Sequence, residues 1–229
     1  MTQLNSFLSG IGFSIALAVF CIGLLYRLVS YFRGLDWRLD RVAYKPHMNA
    51  GMKGGLNSIV RWLIPFGTHG WRAQPFASLG FFLLHFGAVL LPLFLIAHTE
   101  ILKSALGISL PQLPGLLADI LTIAAIIGLL FLVLRRLALP EVRMLTDWHD
   151  WLILALVIIP FVSGFVARME MGTYGTWLTV HLIFGNLFLV LAPFTKLSHI
   201  VLFFGSRWQL GADFAIKRGD RNRGHSLPW

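Results

Sequence analysis

Residues 181–199 read HLIFGNLFLVLAPFTKLSH, two histidines bracketing seventeen residues of which only Lys196 is charged. At about 1.5 Å of rise per residue, such a run is long enough to cross a hydrocarbon core of about 30 Å as a helix. A titratable imidazole at each end is costly in that setting and calls for a partner inside the protein. What the partner is depends on the rest of the chain.

The rest of the chain is equally apolar. Of 229 residues, 57% are hydrophobic and 13% charged, and the mean hydropathy is +0.75. An ordinary soluble domain carries about twice that charge. The apolar residues come in blocks of about twenty, which reads as an all-α integral membrane protein. The spans are expected near 6–26, 77–97, 115–134, 151–167 and 176–205, a five-helix bundle forming one membrane domain over 1–229.

The net charge of +9 could suggest nucleic acid, so the placement of the charges decides. Lys and Arg on alternate connecting segments number sixteen against two, with Lys196 left inside the last span. That asymmetry predicts an N-terminus outside and a cytoplasmic C-terminus. The basicity is a topology signal, and no nucleic acid is expected. The opening MTQLNSFLSG has no basic residue and no small-residue cleavage site follows its apolar run, so it reads as the first span and not as a removable signal. Cys21 is the only cysteine, which permits no internal disulfide, no four-cysteine cluster and no Cys-x-x-Cys-His attachment.

Residues 27–76 form the one long connection, cytoplasmic or interfacial, and 206–229 a cytoplasmic tail. Within the connection, SIVRWLIPF is apolar enough to lie at the membrane surface with Arg61 turned to headgroups. A docking surface for a cytoplasmic partner is the other reading, and the two are compatible.

The eight histidines divide by setting. His47, His69 and His225 lie in polar segments and read as surface residues, and His149 as an interfacial one. His85 and His98 belong to the second span, His181 and His199 to the fifth. A single intramembrane histidine could simply hydrogen-bond a neighbouring helix, but four on two helices need a shared explanation. Eighteen residues at about 100° each make five whole turns, which would put His181 and His199 on one helix face about 27 Å apart. Antiparallel packing then matches His85 with His199 toward the cytoplasm and His98 with His181 toward the outside. Each pair could clamp a flat macrocycle between two imidazoles, giving two stacked b haems. Gly87 and Gly185 could let a porphyrin approach, or could serve close helix packing. The thirteen residues from His85 to His98 leave the second roughly 140° short of alignment. A kink or bulge near Pro92 would have to restore the phase.

The segments LLHFG at 83–87, RRLALPEVRMLTDWHDWLIL at 135–154 and HLIFGNLFLVLAPFTKLSH itself carry a resemblance. They look like the gamma subunit of respiratory nitrate reductase and its wider family, which includes the membrane subunits of DsrMK-type and heterodisulfide reductase complexes. The resemblance implies a dihaem cytochrome b anchored in a bacterial or archaeal cytoplasmic membrane. It would pass electrons between the membrane quinone pool, menaquinone or ubiquinone, and a cytoplasmic iron–sulfur catalytic subunit. Carried over by position, His85 and His199 would bind the inner haem and His181 one face of the outer. Where the nitrate reductase subunit has its second histidine ten residues after the first, this chain has Leu95, and His98 is the nearby replacement.

Other residues fit around that frame. Arg135, Arg136 and Arg143 could pair with propionates of the inner haem, or could anchor the topology. Asp119 falls just inside the third span on the outer side, with Glu100 and Lys103 nearby and Arg168 and Glu170 at the same depth. Quinol oxidation releases protons, and a carboxylate there could accept one; a helix-start carboxylate favoured by the dipole is the plainer reading. Two alternatives stand beside this one. Electrons could run the other way, from a cytoplasmic donor or a periplasmic cytochrome c to quinone. A non-redox transporter or assembly factor could use the same histidines for protons or metal.

Overall fold

The structure, a computed structural model, describes residues 2–35 and 48–217. His47, His225 and the tail beyond 217 lie outside the described residues. Among those described, the elements are helical throughout. Five helical stretches are long and apolar enough to cross a membrane: Gln3–Gly34, Pro75–Phe94, Gly115–Ala138, Trp148–Arg168 and Tyr174–Phe194. Many large apolar side chains on them are exposed, Ile22 at 69% and Leu116 at 75% among them. In water that surface would be a liability; against lipid it costs nothing. The chain is a multi-pass, all-α membrane protein.

The residues group into two compact units, Met1–Cys21 with Leu79–Thr195 and Ile22–Ser78 with Lys196–Trp229. The first unit starts with α1 (Gln3–Ser9) and the opening of α2 (Ile11–Gly34), joined through Gly10. It continues with most of α5 (Pro75–Phe94), then α6 (Ile96–Leu106), α7 (Gly115–Ala138), α8 (Pro140–Met144), α9 (Trp148–Arg168) and α10 (Tyr174–Leu191). Its core joins Leu84 of α5, Ala125 and Leu129 of α7, and Leu154 of α9. Small residues bring α5 and α7 together: a Cβ on Gly87 would lie 2.6 Å from Ala125 Cβ and 2.7 Å from the Leu121 carbonyl oxygen. Gly87 therefore serves helix packing. A Cβ on Gly185 would meet nothing within 4 Å.

The start of α9 is built by the polar part of TDWHDW. Asp147 caps the helix by accepting from the Asp150 N–H at 2.8 Å, and Asp150 returns the contact to the Asp147 N–H at 3.3 Å. This reciprocal cap satisfies two N–H groups that a helix start leaves over. Arg136, in the last turn of α7, donates to Thr146 Oγ1 at 2.9 Å and sits 3.9 Å from the buried Asp150 carboxylate.

The second unit holds the rest of α2, α3 (Met48–Leu63), α4 (His69–Ala73), the first turn of α5 and α11 (His199–Lys217). Its centre is the crossing of α3 and α11. A Cβ on Gly54 would fall on the Gly211 carbonyl oxygen and on Ala215 Cβ, and one on Gly211 on the Gly54 carbonyl oxygen. The two backbones can touch only because neither position has a side chain. Arg207 of α11 covers Trp62 of α3, 4.6 Å from its ring centre, and Tyr31 of α2 donates to Gln209 of α11.

Two breaks depart from the sequence reading. The second span stops at Phe94, and Leu95 is extended (φ −66°, ψ 134°) before α6 begins. The fifth span, expected as one helix over 176–205, passes from α10 into a 3-10 turn at Ala192–Phe194. Thr195 is extended (φ −119°, ψ −176°), a second 3-10 turn covers Lys196–Ser198, and α11 starts at His199. The five-turn alignment of His181 with His199 therefore does not hold, because no continuous helix joins them. Pro193 has no N–H to continue the α-helical ladder, which favours a break there, although Pro92 and Pro160 are carried inside α5 and α9.

Candidate functional site

The break at Leu95 has a consequence for His98. An unbroken helix would have pointed it roughly 140° away from the direction of His85. With the extended residue inserted, the His98 ring comes to lie beside His181 of α10, ring centres 5.8 Å apart and planes 5° from parallel. The distortion that the spacing required is present, three residues beyond the proline expected to cause it. The end of α5 is stabilised by its own loop, the Leu113 N–H donating to the Phe94 carbonyl at 2.8 Å.

Both rings are held by the same device. His98 Nδ1 donates to the Leu91 carbonyl at 3.0 Å, and His181 Nδ1 to the Pro160 carbonyl of α9 at 2.8 Å. A carbonyl oxygen can only accept, so Nδ1 carries the hydrogen and Nε2 the lone pair in each ring. That is the tautomer metal-binding histidines adopt when a backbone carbonyl orients them. Gly164 completes the cradle: a Cβ there would lie 2.8 Å from His181 Nδ1 and 2.9 Å from Cε1.

The pair offers two neutral imidazoles with parallel rings, 5.8 Å between centres, and imidazole is a ligand suited to iron. Among the described residues no three His, Cys, Asp or Glu side chains cluster as a metal site. Two imidazoles suit a metal that brings its remaining ligands with it.

The other candidates are placed as follows. His85, on α5, donates Nδ1–H to the Phe81 carbonyl at 2.8 Å and stacks on the Phe81 ring at 3.8 Å. His199 donates to the Lys196 carbonyl at 2.9 Å. All four histidines thus share the Nδ1–carbonyl arrangement, although His85 belongs to the first unit and His199 to the second. Asp119 pairs with Arg168, at 3.5 Å. Arg168 is about one helical turn, about 6 Å of rise, beyond Gly164 on α9. Glu100 is exposed and accepts from Gln112 at 3.0 Å. Lys103 is exposed on α6, and no ion pair joins it to Asp119 or Glu100 among the described residues. Arg136 is engaged at the α9 cap, while Arg135 is part-buried and Arg143 exposed. His69 is exposed at the start of α4, and His149 meets Trp148 edge-on.

Sequence reasoning missed Pro160 and Gly164. The signal was PFVSG at 160–164, a proline and a glycine four apart inside a span. It also read TDWHDW without its capping box.

The profile of the nitrate reductase gamma subunit matches residues 74–177. Over that stretch the chain is similar to the nitrate reductase gamma subunit family. A protein from Nitratidesulfovibrio vulgaris (strain Hildenborough) is 58% identical over 224 residues, 98% of this chain and 99% of its own length. One subunit of the dihydromethanophenazine:CoB–CoM heterodisulfide reductase of Methanosarcina barkeri (strain Fusaro) is 31% identical over 115 residues, 42% of this chain and 44% of that protein. Both the gamma subunit profile and the heterodisulfide reductase subunit carry the names of subunits of reductases. The family match covers His85 and His98 and ends before His181 and His199.

Proposed function

We propose that this protein is a dihaem cytochrome b that exchanges electrons between membrane quinol on the outer side and an iron–sulfur partner on the cytoplasmic side. The observation that carries the reading is the parallel pair of His98 and His181, each fixed through Nδ1. A b haem bound there would supply a one-electron relay. The chain's own residues do the rest. His98 and His181 would present Nε2 to the outer haem, and His85 and His199 would hold the inner one. Pro160 and Gly164 keep the His181 ring in place, and the apolar helices around it exclude water. Asp119, positioned by Arg168, would accept a proton released by quinol.

The test is a pyridine haemochrome assay on the purified full-length protein. Two non-covalent haems per chain are expected. One would remove the outer or the inner site, and none would overturn the proposal. His98→Ala should lower the count to one without loss of the protein from the membrane.

A further inference from the structure

The helix α3 has three distinct faces. Gly51, Gly54, Gly55 and Ser58 are buried, and Gly51, Gly54 and Gly55 all meet α11 side chains. Lys53, Asn57 and Arg61, at intervals of four, make an exposed polar strip. Met48, Met52, Leu56, Val60 and Leu63 remain, each between 43% and 58% exposed. At about 100° per residue these five fall within about a third of the helix circumference. α11 does not use that arc, and Lys53 borders one edge of it.

The far end of α3 is fixed close to a membrane span. Trp62 packs edge-on against Trp71 of α4, ring centres 5.2 Å apart. Arg72 Nη1 donates to the Phe66 carbonyl at 3.2 Å, closing the turn between the two helices. Ser78, in the first turn of the span Pro75–Phe94, donates to the Trp71 carbonyl at 2.7 Å. An apolar arc with a lysine at its edge, tied through tryptophans to the end of a span, matches an interfacial helix in composition and position.

We propose that α3 lies along the membrane surface, its Met48–Leu63 arc in the boundary between headgroups and acyl chains. Lys53 then reaches the phosphates of the lipid headgroups, and the glycine face carries α11 on the membrane surface. This goes beyond electron transfer and does not depend on haem.

The test uses the full-length chain with its cysteine removed by Cys21→Ser and one position at a time converted: Met52→Cys, Leu56→Cys or Asn57→Cys. Each is labelled with an environment-sensitive fluorophore and reconstituted into vesicles of phosphatidylcholine and phosphatidylglycerol. Lipids carrying a nitroxide on a shallow acyl carbon should quench the labels at 52 and 56 several-fold more than the label at 57, and aqueous iodide should give the reverse order. All three side chains are exposed, so the substitutions leave the helix packing intact, and two positions on the arc guard against one local artefact. Equal iodide access at 52, 56 and 57, without nitroxide quenching, would overturn the proposal and leave the arc to a protein partner.

Discussion

At the scale of single residues, the outer histidine pair depends on a missing side chain. Gly164 lets His181 rest against α9, where the Pro160 carbonyl takes its Nδ1 hydrogen. Gly164→Val should push the ring off that carbonyl. On the dihaem proposal, redox titration should then show one haem component lost, or shifted by about 59 mV or more, a tenfold change in its one-electron equilibrium. The other component should stay where it was. If both components moved together, the histidines would not serve separate sites. Gly164→Ala asks for a smaller displacement and should retain both haems with a smaller shift.

At the scale of elements, the crossing of α3 and α11 is the contact most sensitive to volume. Each of Gly54 and Gly211 would place a Cβ on the other's backbone oxygen. A backbone cannot give way as the tip of a side chain can, so Gly54→Leu should cost at least the about 1–3 kcal/mol of ordinary overpacking. Limited trypsin digestion of protein in membranes is the measurement. Cleavage at Lys53 or Arg61 should become faster as α3 loosens, while Gly34→Ala, whose Cβ meets nothing within 4 Å, should leave the rate unchanged. Unchanged cleavage in Gly54→Leu would mean that the two helices do not cross there. The reciprocal cap of α9 belongs to the same scale, since Asp147, Asp150 and Arg136 join the end of one span to the start of the next.

At the scale of the whole molecule, five spans would put the two termini on opposite sides of the membrane, and the Lys and Arg distribution predicts which side each takes. A green fluorescent reporter fused after Trp229 should fluoresce and a phosphatase fused there should be inactive. The opposite result would reverse the depths assigned to all four histidines.

The existence of five spans and the all-helical class were legible from the sequence, because length and hydropathy are local properties that lipid enforces on each segment separately. The resemblance to the nitrate reductase gamma subunit was legible too, in LLHFG and the arginine-rich connection. The sequence also showed that His98 was out of phase and that a distortion was needed. Where that distortion falls was a tertiary matter, settled at Leu95, where the loop residue Leu113 satisfies a carbonyl at the end of α5. The break at Thr195 was hidden because an apolar run looks the same whether its helix continues or not. Gly164 and Pro160 were hidden because their meaning is an azimuth, the direction in which α9 faces α10. Hydropathy sets how far a helix runs through the membrane; which of its faces meets a neighbour is set only when side chains from distant positions compete for the same space.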